Sequence, residues 1–158
     1  MIETMMEKAR LTDAIAIKGL IDGYAAAGQM LPRSLSHIYE NIRDFFVYRA
    51  EGAVVGCSAL HILWGDQAEL RAVAVREDMR GQGIGRRLVQ ACLDEARDLG
   101  LPEVFLLTYE PTIFEHLGFR RADIMTLSRK LWGECYKCPK YNPLIPCGEV
   151  AMKLQLTY

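Results

Sequence analysis

The chain has 158 residues, of which 51% are hydrophobic and 25% are charged, and its formal net charge is -1. A nearly balanced charge gives no general electrostatic attraction for nucleic acid or for an acidic membrane, so we expect neither as a partner. The length predicts a single domain over residues 1–158 that buries about two thirds of the unfolded chain's surface.

Residues 1–10 carry Glu3 and Glu7 and lack an apolar core, so we expect no signal peptide and a cytoplasmic location. Hydrophobic periodicity and turn residues predict the following elements. They are a strand over 5–9, a helix from Thr12 to Gly28, a helix over 35–43, a hairpin of strands 45–49 and 54–63, a strand over 67–75, a helix that follows the next glycines and stops at Gly100, a strand over 104–108, a short helix over 113–117 and a strand over 150–156. This order indicates an α+β fold, a mixed and mostly antiparallel sheet with flanking helices.

A glycine-rich turn, Arg80-Gly81-Gln82-Gly83-Ile84-Gly85, lies between the strand that ends at Val75 and the following helix. The free amides of such a turn, together with the helix dipole, bind a phosphate or pyrophosphate. The spacing fits neither a P-loop, which needs Lys-Ser or Lys-Thr, nor the dinucleotide fingerprint Gly-x-Gly-x-x-Gly. Instead, Arg80-x-x-Gly83-x-Gly85 resembles the coenzyme A loop of the GNAT superfamily of N-acetyltransferases.

This resemblance implies an enzyme that uses acetyl-CoA and has a sheet splayed at its central strands. A bulge near Val73 to Val75 would then direct a backbone N–H at the thioester oxygen. The family usually has a Tyr, the acid that protonates the departing thiolate, where this chain has Phe114, so we expect Phe114 to pack on the coenzyme or in the core. The residues implied to bind the coenzyme are Val73, Ala74, Val75, Arg80, Gly81, Gln82, Gly83, Ile84, Gly85, Arg86 and Phe114.

A narrower resemblance concerns several segments that are similar to the catalytic domain of bacterial N-acetylglutamate synthases, in their short single-domain branch. It implies transfer of acetyl to the α-amino group of L-glutamate, the first step of arginine biosynthesis. We expect no room for the arginine-binding, kinase-like domain of longer relatives. The similar segments are Met30–Ser34, Gly56–Leu60, Glu69–Val75, Leu107–Pro111 and the tail from Lys130 to Met152.

Candidate catalytic residues follow from this resemblance. An α-amino group is largely ammonium at neutral pH, so a base must take a proton, and Glu69 matches the proposed base. The alternative is an ordinary strand Glu paired with Arg71. Thr108 and Tyr109 are candidates for the proton donor, with Tyr109 the better acid, although it could simply be a half-buried aromatic at a strand end. We expect direct transfer without a cysteine nucleophile.

The two carboxylates of glutamate require cationic partners. Arg33, in a loop between the first two helices, is the main candidate, because a guanidinium meets a carboxylate with paired hydrogen bonds. The alternative is a solvated loop Arg. His61, Arg71 and Lys130 are further candidates, and His61 could equally be a core or rim histidine.

The five cysteines are an odd number, which favours reduced thiols. Cys57 and Cys92 lie in apolar runs and are predicted to be buried. Cys135, Cys138 and Cys147 could supply three thiolates to zinc but lack an adjacent fourth ligand, so we expect no metal.

Two other functions stay open at this point. One is an acetyltransferase for a different amine, and the other is a non-catalytic module that binds coenzyme A or an amino acid. The sequence also leaves open whether the chain forms a homodimer, as members of the superfamily often do.

Overall fold

The computed structural model describes residues 4–127 and 148–157. In this part of the chain the α-helices are α1 (Ala14–Ala26), α2 (Leu35–Glu40), α3 (Ile84–Asp98) and α4 (Pro111–Glu115). The strands are β1 (Thr4–Lys8), β2 (Phe45–Ala50), β3 (Ala53–Trp64), β4 (Gln67–Val75), β5 (Glu103–Thr108), β6 (Arg120–Arg121) and β7 (Val150–Gln155). Short 3-10 turns cover Leu11–Asp13, Ile42–Asp44, Glu77–Met79 and Ile124–Thr126. None of the helices described has the length and apolar character needed to span a membrane.

The strands form a mixed sheet in the order β1-β2-β3-β4-β5-β7-β6. Strand β2 pairs antiparallel with β1 and β3, and β7 pairs antiparallel with β5 and β6. Strand β4 pairs parallel with β5 through the first three residues of each, from Gln67 opposite Glu103 to Glu69 opposite Phe105. The predicted α+β fold with a mixed, mostly antiparallel sheet is confirmed.

All the predicted elements are present, although their ends differ by a few residues. Helix α4 begins at Pro111 instead of residue 113, because proline has a backbone angle that suits the first helical turn. The second predicted helix ends at Glu40, and its remainder forms the 3-10 turn Ile42–Asp44. Strand β6 was not predicted, since two residues are too short to show a period.

The described chain divides into two compact units. The first contains the residues up to Leu60 together with Leu70–Glu95, and the second contains His61–Glu69 and the residues from Ala96 onward. The first unit has two apolar clusters, one that includes Ile17, Ile21, Ile38, Phe45 and Val47, and one formed by Tyr48, Val55, Val75, Ile84 and Leu88. The second unit has a cluster of Leu63, Phe105, Leu127 and Ala151.

Helix α3 packs closely against β3 at Gly56. A Cβ atom at this position would lie 2.9 Å from Leu88 Cδ1 and 3.2 Å from Ile84 Cγ2. We therefore predict that Gly56→Ala lowers the free energy of unfolding by about 1–3 kcal/mol, because the added methyl group overpacks this contact. Gly19→Ala is the control, since a Cβ there meets no atom within 4 Å and the helical residue is exposed. It should raise stability by up to about 1 kcal/mol. Urea denaturation measures the free energy of unfolding of both variants, and an equal change in the two would contradict the prediction.

Candidate active site

The glycine-rich loop lies between the end of β4 and the start of α3. Gly81 and Gly83 have φ angles of 80° and 81°, in the left-handed region that favours glycine. A Cβ at either position would meet no atom within 4 Å, so the backbone conformation, and not crowding, requires glycine there. At Gly85 a Cβ would make an ordinary 3.7 Å contact with Val75 Cγ2, so alanine fits at that position.

The first turn of α3 follows directly from this loop. The N–H of Arg87 donates to the carbonyl of Gly83 at 3.1 Å, which starts the helical hydrogen-bonding pattern. The amides of Ile84, Gly85 and Arg86 belong to the first turn, whose N–H groups have no acceptor within a helix. The Ile84 side chain is buried in an apolar cluster of the first unit, whereas Arg86 is exposed. Together the loop and the helix can hold a pyrophosphate.

The strand that leads to the loop contains a residue with left-handed backbone, Ala72, with φ 56°. Ala72 directly precedes the segment Val73 to Val75, near which the bulge was predicted. The Ala72 carbonyl accepts a hydrogen bond from Cys57 Sγ at 3.3 Å. Val73 is half-buried, and Ala74 and Val75 are buried. Such an interruption can redirect backbone groups of a strand towards a ligand.

Tyr24 of α1 contacts the end of β4, which sequence reasoning missed. Its hydroxyl accepts from the N–H of Val75 at 3.2 Å and donates to the Val75 carbonyl at 3.3 Å. Arg80 Nε donates to the same carbonyl at 3.1 Å, and the Arg80 guanidinium lies over the Tyr24 ring, 4.6 Å from its centroid. In the sequence Tyr24 belongs to the apolar face of a helix. Its hydroxyl, a polar group on that face, was the one feature that could have indicated a hydrogen bond there.

Arg33 lies half-buried in the loop between α1 and α2. Its carbonyl accepts from Lys18 Nζ at 3.1 Å, and its Nη1 lies 3.4 Å from His37 Nε2. Ser34 caps α2 by accepting from the N–H of His37 at 3.1 Å. Lys18 therefore contacts the backbone of Arg33, and His37 contacts its guanidinium. The contact between Arg33 and His37 was not predicted, because it depends on how the chain turns from the loop into α2.

Two predicted site residues of the second unit lie on strands. Glu69, in β4, is buried with 5% of its surface exposed. Glutamate is rarely buried to this extent unless it has a partner or a function. His61 is half-buried in β3. Arg71, which belongs to the first unit, is also half-buried in β4.

The candidate proton donors lie at the end of β5. Thr108 is its last residue, and Thr108 Oγ1 accepts from the N–H of Glu110 at 2.9 Å, which closes a turn. Tyr109 follows, half-buried, with its ring 3.5 Å from the place of a Cβ on Gly148. The Phe114 ring meets the buried Phe119 edge to face, with centroids 6.0 Å apart, so one side of Phe114 packs in the second unit.

The described cysteines, Cys57 and Cys92, are both buried, as predicted. Burial raises the pKa of each thiol to about 12, so both are protonated at neutral pH and are poor nucleophiles. Within the described residues, no group of three or more His, Cys, Asp or Glu side chains could hold a metal ion. Four residues named from the sequence lie outside the described residues: Lys130, Cys135, Cys138 and Cys147.

The chain matches known proteins over most of its length. The model of the family described as "Acetyltransferase (GNAT) family" matches residues 21–119. An uncharacterized N-acetyltransferase of Chlorobaculum tepidum is 40% identical over 150 residues, which cover 95% of each chain. The amino-acid acetyltransferase of Mycobacterium tuberculosis is 39% identical over 141 residues, which cover 87% of this chain and 79% of that protein.

Solved structures agree with these matches. A Mycobacterium tuberculosis protein in complex with CoA and NLQ has a TM-score of 0.84 and 35% identity, covering 97% of this chain and 99% of its own. N-acetylglutamate synthase from Neisseria gonorrhoeae, complexed with coenzyme A and N-acetyl-glutamate, has a TM-score of 0.88 at 23% identity. It shares the fold, and the match covers 99% of this chain and 36% of that one. The chain therefore belongs to the GNAT family and is an N-acetyltransferase that takes its acetyl group from acetyl-CoA.

Proposed function

We propose that this enzyme acetylates the α-amino group of L-glutamate and so acts as an N-acetylglutamate synthase in arginine biosynthesis. The observation that carries the proposal is Arg33, in the loop between the first two helices, whose backbone carbonyl accepts from Lys18 and whose guanidinium lies beside His37. The 39% identical relative named as an amino-acid acetyltransferase supports an amino acid as acceptor. A single acetyltransferase domain over residues 1–158 and a cytoplasmic location belong to the same proposal.

The coenzyme is assigned to the loop and to the end of β4. Under this proposal the amides of Gly83 to Arg86 bind the pyrophosphate, since anions are favoured at the start of a helix. The backbone of Val73 and Ala74 pairs with the pantetheine arm, while that of Val75, hydrogen-bonded to Tyr24, forms the adjoining end of the strand. The open space around Gly81 and Gly83 supports this assignment, because a pyrophosphate can approach the backbone closely there.

The acceptor is assigned to cationic side chains. Arg33 binds one carboxylate of glutamate through paired hydrogen bonds. His61, Arg71 and Lys130 are the candidates for the second carboxylate. A polyamine would instead require carboxylates around its cations, so Arg33 favours an anionic acceptor.

The proposed reaction is a direct transfer. Glu69 removes a proton from the ammonium group of the acceptor, directly or through a water molecule. The amine nitrogen then attacks the thioester carbonyl carbon, a C–N bond forms and the C–S bond breaks. Tyr109, or Thr108 beside it, gives a proton to the coenzyme thiolate and is reprotonated by the second proton that leaves the nitrogen as the amide forms. The high pKa of the Cys57 and Cys92 thiols supports a route that uses neither of them as a nucleophile.

Arg33→Ala tests the acceptor site. We expect the KM for glutamate to rise by about 10- to 100-fold, because hydrogen bonds between charged groups contribute about 1.5–3 kcal/mol. The KM for acetyl-CoA should stay within about twofold, since the coenzyme residues are unchanged. Arg43→Ala, which removes an exposed cation from the 3-10 turn after α2, is the matched control. Unchanged KM values in both variants would mean that Arg33 does not bind the acceptor.

The acceptor itself is identified by coenzyme A release from acetyl-CoA in the presence of single amines. The panel contains L-glutamate, L-glutamine, L-aspartate, other amino acids, polyamines and peptides. The rate without acceptor is subtracted, because the protein's own cysteines react with thiol reagents. A clear preference for L-glutamate supports the synthase proposal. If coenzyme A is released only with a different amine, the proposal that L-glutamate is the acceptor is wrong. Coenzyme binding without any release would favour a regulatory module.

A further inference from the structure

We propose that Tyr24 is a positioning residue for the coenzyme, one that holds the end of β4 and Arg80 in the arrangement that acetyl-CoA binds. Tyr24, Val75 and Arg80 all belong to the first unit. The hydroxyl of Tyr24 joins them to α1 by two hydrogen bonds to Val75. The inference rests on the use of acetyl-CoA and not on the identity of the acceptor.

The direction of the Val75 backbone groups supports this role. The N–H of Arg76 donates to the Val55 carbonyl of β3 at 2.7 Å. Since consecutive residues of a strand direct their polar backbone groups to opposite edges, those of Val75 point away from β3. There the Tyr24 hydroxyl contacts both groups, as a hydroxyl can accept and donate at once. The contact therefore fixes the edge of β4 directly before the loop.

Arg80 is held by the same contact, although it is exposed and lies in the loop. Its Nε donates to the Val75 carbonyl, and its guanidinium lies on the Tyr24 ring. The ring restricts the plane of the guanidinium, as a cation–π contact does. The two Nη atoms carry four further N–H donors, and their planar fork fits phosphate oxygens. Tyr24 thus orients a cation for the anionic part of the coenzyme.

Helix α1 also supports the acceptor loop, since Lys18 donates to the Arg33 carbonyl. Lys18 in turn pairs with Asp22 at 3.0 Å on the same helix. One helix therefore carries side chains that hold both the coenzyme strand and the loop with Arg33. A substitution of Tyr24 should therefore weaken the binding of the coenzyme and not that of the acceptor, because Lys18 and its contacts stay in place.

Tyr24→Phe is the decisive variant, because it keeps the ring under Arg80 and removes the two hydrogen bonds. Titration calorimetry of the full chain with coenzyme A, without acceptor, measures affinity independently of turnover. We expect the affinity to fall by about 5- to 20-fold, because one or two partly buried hydrogen bonds are lost. The KM for acetyl-CoA should rise to match, with kcat within about twofold. Tyr39→Phe, at a tyrosine of α2 that is 41% exposed, is the matched control and should bind as the wild type does.

Tyr24→Leu removes the ring as well and should weaken binding further. In a chain that already carries Arg80→Gln, Tyr24→Leu should lower the affinity for coenzyme A by a smaller factor, since part of the effect of Tyr24 acts through Arg80. Unchanged affinity in Tyr24→Phe would overturn the proposal. So would tighter binding, which would mean that Tyr24 competes with the coenzyme for Val75. If Tyr24→Leu fails to fold, Tyr24→Phe and Arg80→Gln still decide. If the protein binds coenzyme A but does not acetylate glutamate, the proposed function is wrong and the inference about Tyr24 still stands.

Discussion

Gly83→Asp is expected to weaken coenzyme A binding by more than about 100-fold while the chain stays folded. The new side chain stands directly before α3, beside the first-turn amides that the pyrophosphate needs. Its negative charge would repel the phosphates. The left-handed backbone at Gly83 adds a cost of about 1–2 kcal/mol for a residue with a side chain. Because about 1.4 kcal/mol corresponds to a tenfold change in affinity, these effects together exceed about two orders of magnitude.

Two alanine variants separate these causes. Gly83→Ala introduces the backbone cost without the charge, so we expect a fall in affinity of about tenfold. Gly85→Ala needs no unusual backbone angle and makes only an ordinary contact, so its affinity should stay within about threefold of wild type. Calorimetry gives the affinities, and thermal unfolding shows whether each variant is folded. If Gly83→Asp binds coenzyme A as wild type does, the loop does not hold the pyrophosphate.

The parts of this fold that could be predicted were those whose signal is local. The coenzyme loop needs glycine at particular backbone angles, and the helix behind it shows a regular apolar period, so both are visible in a short stretch of sequence. The strand β4 was predicted with its observed limits for the same reason. The predicted ends of α2 and α4 were less accurate. The apolar period of α2 continues into the 3-10 turn that follows it, so the predicted helix was too long. Helix α4 begins at Pro111, before its first apolar residue, so the predicted start was too late.

Features that depend on distant contacts could not be predicted in this way. Tyr24 and Val75 are 51 residues apart in the chain, and nothing in either local sequence indicates that a hydroxyl meets both backbone groups of the strand. The left-handed backbone of Ala72 was not predicted, because alanine, unlike glycine, gives no sign of that conformation. The roles given to Arg33, Glu69 and Tyr109 came from the family resemblance and stay predictions.

Glu69→Gln tests the proposed base. Gln has nearly the same shape and cannot take a proton, so a general base at this position should show itself as a fall in kcat of about 100- to 10,000-fold. The KM values for acetyl-CoA and for the acceptor should change much less, because no binding group is assigned to Glu69. The loss should shrink as the pH rises, since hydroxide then deprotonates the ammonium group and replaces the missing base. Steady-state kinetics of both proteins across pH, with acetyl-CoA saturating, measures this difference.

Glu103 provides the matched control, because it is a strand glutamate of the same unit with a visible structural role. Its carboxylate accepts from Gln67 Nε2 at 2.7 Å and from Gln155 Nε2 at 2.9 Å, and it pairs with Lys153 at 3.6 Å. Glu103→Gln should therefore lower the free energy of unfolding, by up to about 1 kcal/mol for a partly exposed ion pair, and leave kcat unchanged. If Glu69→Gln behaves in the same way, losing stability but keeping its turnover at every pH, then Glu69 is a structural carboxylate. The proton would then have to leave the acceptor by another route, and the assignment of the catalytic residues would fail while that of the coenzyme loop would stand.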